Sequence, residues 1–143
     1  MKRARRESGQ ALIEAALTVP ILLLIAIGIF EFGRAYQTWQ ILTNAAREGA
    51  RLAVVPNATD VETRVRQYMQ DGQLSKYGTA PVTVDAAATI TVNGLPVSAT
   101  KVTIDYPFDF VMLGPVARLI PGSPGTLGSS LTMQASALMR NEQ

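Results

Sequence analysis

The chain has 143 residues and contains neither cysteine nor histidine, which leaves room for one small domain plus one membrane segment and excludes disulfides, thiolate metal sites and Cys-His or Ser-His catalysis. Its formal charge of +2 is unevenly placed: Lys2, Arg3, Arg5 and Arg6 against Glu7 put +3 into the first nine residues, and from Gln10 onward nine basic residues face ten acidic ones. No basic surface remains to hold a polyphosphate backbone, so nucleic acid is not an expected partner.

The first predicted element is a membrane helix. Ala15 to Phe30 is a run of 16 residues without a charge, about 24 Å as a helix and short of the roughly 30 Å hydrocarbon core. A start at Gln10 gives 21 residues and about 31 Å, which fits only if Glu14 enters the bilayer or lies at its edge. Pro20 lies within the run, where it removes one backbone hydrogen bond and bends the helix, as membrane helices tolerate. Because the basic residues precede the span, residues 1–9 are expected on the cytoplasmic side of the membrane and the bulk of the chain outside it.

A secretory signal would carry its small-residue cleavage site after the apolar core, but here Glu31-Phe32-Gly33-Arg34 follows. The small residues, Ser8-Gly9, stand in front, and counting from Gln10, Glu14 is the fifth residue. A basic leader ending in Gly, a Glu at the fifth position and an apolar helix together resemble the type IV prepilin signal. That resemblance implies cleavage between Gly9 and Gln10 by a prepilin peptidase. The freed amine of Gln10 on a neighbouring subunit could then pair with Glu14, where charges attract strongly. The plainer alternative is an interfacial Glu14 that reaches headgroup water and pairs with nothing.

Residues 31–55 continue the helix as an amphipathic rod. Phe32, Ala35, Trp39, Leu42, Ala46, Gly49 and Ala53 recur at spacings of three and four, the signature of one apolar stripe. Arg34, Gln37, Thr38, Gln40, Asn44, Arg47, Glu48 and Arg51 lie opposite, with Glu31 and Arg34 one turn apart. Pro56 sets the end near Val55. The small residues of the second half let another backbone approach, either this chain's own sheet or a second subunit.

GQALIEAALTVPILLLIAIGIFEFGRAY followed by LTNAAREGARLAVV resembles the TadE-like family of minor pseudopilins of tight-adherence (Flp) pilus systems. The likeness is close over residues 9–55 and looser at VTIDYPF and LTMQASALMR. It implies a structural role without a cofactor, with the membrane, other pilins and pilus assembly proteins, and the prepilin peptidase as partners. Residues 56–100 carry no family signature.

The remaining residues, 56–143, are expected to form an extracytoplasmic head. Thr59 and Glu62 stand at capping-box spacing before a helix whose inward face is Val61, Val65, Tyr68 and Met69, ending near Gly72. After Pro81 the period becomes two: Val82 and Val84, then Ile90 and Val92, then a tight turn at Asn93-Gly94. Pro96 argues against a clean strand directly after the turn. Val102, Ile104 and Tyr106 form the next alternating set, and Leu131, Met133, Ala135, Ala137 and Met139 the last. The fold class is therefore α+β, a long N-terminal helix packed on a small antiparallel sheet of three to four strands, as in a pilin head.

Residues 107–129 interrupt the sheet with an apolar, Pro- and Gly-rich segment containing Phe110, Leu113, Leu119 and Ile120. It is either a lid over the core or a patch for a partner or the membrane–water boundary. Asp105 and Asp109 are a candidate carboxylate pair in the head. On one strand they would stand about 13 Å apart, too far to share a proton or to act as a retaining glycosidase. No metal site, phosphate-binding loop or catalytic group is expected. The functional expectation is a processed minor pseudopilin acting structurally in a pilus; its alternative is an uncleaved single-pass protein whose head binds a ligand or senses the envelope.

Overall fold

The computed structural model describes residues 3–55, 60–117, 126 and 128–141, with backbone alone at 3–8 and 117. In chain order the elements are α1 (Arg3–Ala53), α2 (Val61–Asp71), β1 (Val82–Val92), β2 (Leu95–Phe108), α3 (Leu113–Ala117) and β3 (Leu131–Arg140). The chain forms two compact units, Met1–Arg34 with Phe110–Ser129, and Ala35–Asp109 with Ser130–Gln143. The class is α+β, with the long helix packed on a three-stranded antiparallel sheet of order β1-β2-β3.

In the second unit the sheet is organised by β2, whose alternate residues Thr100, Val102, Ile104, Tyr106 and Phe108 are all buried. Residues directly opposite on antiparallel strands share a face. Ile104 is flanked by Val82 and Ala135, Val102 by Val84 and Ala137, and Tyr106 by Met133. The period of two in the sequence thus becomes one apolar surface. Leu42, Ala45, Ala46 and Ala50 from α1, with Val65 and Met69 from α2, complete the core. Gly49 is where these layers meet, since a Cβ there would lie 2.4 Å from Val65 Cγ2 and 3.3 Å from Val102 Cγ1. Any larger residue would push the helices apart.

The hairpin turns at Asn93 and Gly94, both left-handed with φ of 52° and 81°, the pairing of conformations that a two-residue turn matching the strand twist requires. Contrary to the expectation from Pro96, β2 begins at Leu95 and pairs Pro96 with Thr91. Bonded and non-bonded positions alternate along an antiparallel pair, and Val92–Leu95 closes the turn as a bonded pair. The Pro96 nitrogen therefore points away from β1, toward the side that β3 reaches only from Ala99 onward, so its missing donor leaves no gap. Likewise β2 runs on through Pro107 to Phe108, past the start assigned to the apolar segment. Asp105 donates its N–H to Pro81 O, so the Pro107 nitrogen faces the same side, beyond the end of β1.

α2 begins directly after Asp60, which adopts a left-handed φ of 67° and makes no side-chain cap. Thr59, assigned a capping role from sequence, lies outside the described residues. Arg64 ties α2 to α1 through Glu48 at 3.1 Å, and Arg66 donates to the carbonyls of Tyr77 and Gly78 at 2.7 Å each. The loop after α2 is thereby held to the helix that precedes it.

Candidate functional site

α1 is helical across Gly9, Gln10, Glu14 and Pro20. Leu12, Leu17, Ile21, Leu22 and Ile29 are each more than half exposed. A buried Leu or Ile side chain is about 1.5–3 kcal/mol more stable than one left in water, so this stretch requires lipid or another apolar helix around it. The helix is long and apolar enough to cross a membrane once. Gly9 and Gln10 are exposed, and a Cβ added at Gly9 would meet nothing within 4 Å. A mid-helix Gly is about 0.8–1 kcal/mol worse than Ala, and no contact among the described residues explains it here. Glu14 is exposed on the same helix and makes no hydrogen bond or ion pair among the described residues.

The carboxylate that this unit does bury is Glu31, 2% exposed. It accepts a hydrogen bond from Arg34 Nη1 at 2.7 Å, one turn along α1, and another from the Met112 backbone N–H at 2.5 Å. Burial on its own would raise the Glu31 carboxyl. The Met112 N–H, the Arg34 charge and the Val111 N–H outweigh burial and hold it below its ordinary value. Sequence reasoning paired Glu31 with Arg34 but missed its partner 81 residues away. The available signal was a carboxylate set directly after an apolar run with arginine three residues on.

Met112 leads into α3, and this segment is the only part of the apolar 107–129 stretch whose site residues are described. Phe110 and Leu113 are half-buried, whereas Val111 and Met112 are exposed. Leu119 and Ile120 lie outside the described residues. Gly114 and Gly128 pack backbone to backbone: a Cβ on Gly128 would fall 2.4 Å from Gly114 Cα, which brings the two ends of the segment together.

The helix stripe divides. Leu42, Ala46 and Gly49 are buried and Ala53 is half-buried, but Phe32 and Trp39 are 75% and 45% exposed. Within the second unit the buried face of α1 comprises Thr38, Leu42, Ala45, Ala46, Gly49 and Ala50, so it keeps Leu42, Ala46 and Gly49 of the stripe and takes in Thr38, which the sequence places on the opposite face. Tyr36 and Trp39 lie against each other on the outside, ring centroids 6.3 Å apart.

Asp105 accepts from Gln134 Nε2 at 2.8 Å, and Asp109 pairs with Lys76. Both act between neighbouring segments of the head. Among the described residues no three Asp or Glu side chains gather where they could hold a metal ion.

Residues 9–51 match the family described as TadE-like protein. The matched stretch covers the exposed apolar front of α1, Glu14, Glu31 and Arg34, and most of the helix that packs on the sheet. The family is a pilus component family, which associates this part of the chain with the membrane and with the Tad pilus system in general. No curated protein and no solved structure matches the chain significantly.

Proposed function

We propose, from the family match over residues 9–51, that the chain is a minor pseudopilin of a tight-adherence (Flp) pilus, trimmed between Gly9 and Gln10 by a prepilin peptidase and acting structurally rather than as an enzyme. The observation that carries this reading is a Gly with no packing role at position 9, five residues ahead of an exposed Glu14, on a helix whose apolar side chains face outward. The basic leader stays in the cytoplasm and the head lies outside the inner membrane. Cleavage removes the +3 leader and leaves an amine on Gln10. Helices of neighbouring pilins then cover the exposed apolar side chains, and an amine from one subunit meets Glu14 of the next. In an apolar setting such a pair fixes register, because a helix shifted along its axis would leave both charges alone.

Glu14→Ala in the full chain, expressed with its pilus components in the native host, tests this reading. Co-purification with the other pilins should be lost while the head remains folded. Co-purification at the wild-type level would contradict it and favour an uncleaved single-pass protein with an independent head.

A further inference from the structure

The first unit combines an exposed apolar helix with a short segment tied to it through a buried carboxylate. That carboxylate is Glu31, the residue directly after the charge-free run Ala15–Phe30. Its carboxylate is buried between Arg34 and the Met112 N–H, so the segment cannot swing away without uncovering a charge. Residues 110–117, FVMLGPVA, contain no charged side chain. Within them the two side chains beside the anchoring N–H, Val111 and Met112, are 56% and 42% exposed. Two adjacent apolar side chains held outward by a buried ionic anchor need a cover.

The anchor indicates which cover. It fixes the Met112 backbone to Glu31, where the apolar run of α1 ends, and the residues on either side of Glu31 in the chain, Phe30 and Phe32, are also exposed. If Ala15–Phe30 fills the hydrocarbon, this level is the membrane–water boundary on the side of the head. There an uncharged segment gains from burying apolar side chains a few ångströms among glycerol and acyl groups, as interfacial elements do. We propose that Val111–Met112 is a second membrane contact, a tip that enters the phospholipid leaflet next to the span and is held at that depth by Glu31. The proposal rests on the membrane-spanning reading of α1. A first unit meeting lipid at two points resists tilting about its helix.

The absence of cysteine permits a clean test, because one introduced thiol carries one nitroxide label. Full-length chains with Val111→Cys, Met112→Cys, Leu22→Cys in the span or Lys101→Cys on the exposed side of β2 are labelled and reconstituted in phosphatidylethanolamine–phosphatidylglycerol vesicles. Collision rates with oxygen, which partitions into lipid, are compared with those of a water-soluble nickel chelate. The oxygen-to-nickel ratio at 111 and 112 should be several-fold above that at 101 and in the direction of that at 22. Adding Glu31→Ala should lower the ratio at 111 toward that at 101.

If 22 reads lipid but 111 and 112 read water, the tip is not in the bilayer and the proposal fails while the span stands. Protection of 111 and 112 from both reagents would mean that protein covers them, which also overturns it. A water-like reading at 22 would remove the spanning helix itself. An unchanged ratio in Glu31→Ala would overturn the anchoring role of Glu31.

Discussion

The Met112 backbone N–H donates to Glu31 Oε1 at 2.5 Å across 81 positions of sequence, and the same carboxylate receives Arg34. Three conditions that rarely occur together are met in one side chain: burial, a charge and two directional partners. Glu31→Ala removes the acceptor of the Met112 N–H, at a cost of about 1–3 kcal/mol for an unsatisfied buried group. Amide exchange at Met112 in detergent micelles should accelerate by roughly one to two orders of magnitude, while exchange at Val102 and Ile104 in the sheet stays unchanged.

The same contact has a pH dependence. Glu31 is held below its ordinary value in the folded chain, so it contributes stability above the unfolded value and loses that contribution as pH falls through the folded one. Protection of the Met112 amide should therefore be constant near neutrality and decline on acidification below the ordinary glutamate range. Glu31→Gln, which keeps an acceptor but cannot titrate, should flatten that decline.

Gly49 is the closest approach in the core. Alanine there places a Cβ 2.4 Å from a Val65 methyl and 3.3 Å from one of Val102, and branched valines have no flexible end to move aside. Overpacking of this kind costs about 1–3 kcal/mol, against which the better helix propensity of alanine returns roughly 1 kcal/mol. Thermal unfolding of Gly49→Ala should show net destabilisation, and the double change with Val65→Ala should recover part of it.

At the hairpin, Gly94 holds a φ of 81°. Valine at this position should destabilise the chain by roughly 1–2 kcal/mol through the left-handed backbone alone, and the same substitution at Gly78, where an added Cβ meets nothing, should have a smaller effect. Chemical denaturation of the two variants side by side would measure the difference.

What could be read in advance follows the range of the physics. The Asn93-Gly94 turn, the alternation through Val102, Ile104 and Tyr106, and the end of α2 at Gly72 are local patterns, and each stands where local chemistry places it. Pro96 was misleading because a proline penalty depends on which neighbour its nitrogen faces, a property of register and not of the residue. The helix stripe holds at Leu42, Ala46 and Gly49 but not at Phe32 and Trp39, which are exposed, and the buried face also takes in Thr38 and Ala45, whose small size lets the sheet approach. The Met112 partner of Glu31 has no local signature at all. Gly9 and Glu14 were legible as a motif, and the structure adds that neither has a packing or pairing role among the described residues.

The pseudopilin role depends most on how the front of α1 is finished. Sequencing the N-terminus of the full-length protein recovered from the membranes of its native host measures this directly. The prediction is a chain that begins at Gln10, with the preceding nine residues absent. A chain that still carries Arg3, Arg5 and Arg6 would contradict the pseudopilin reading.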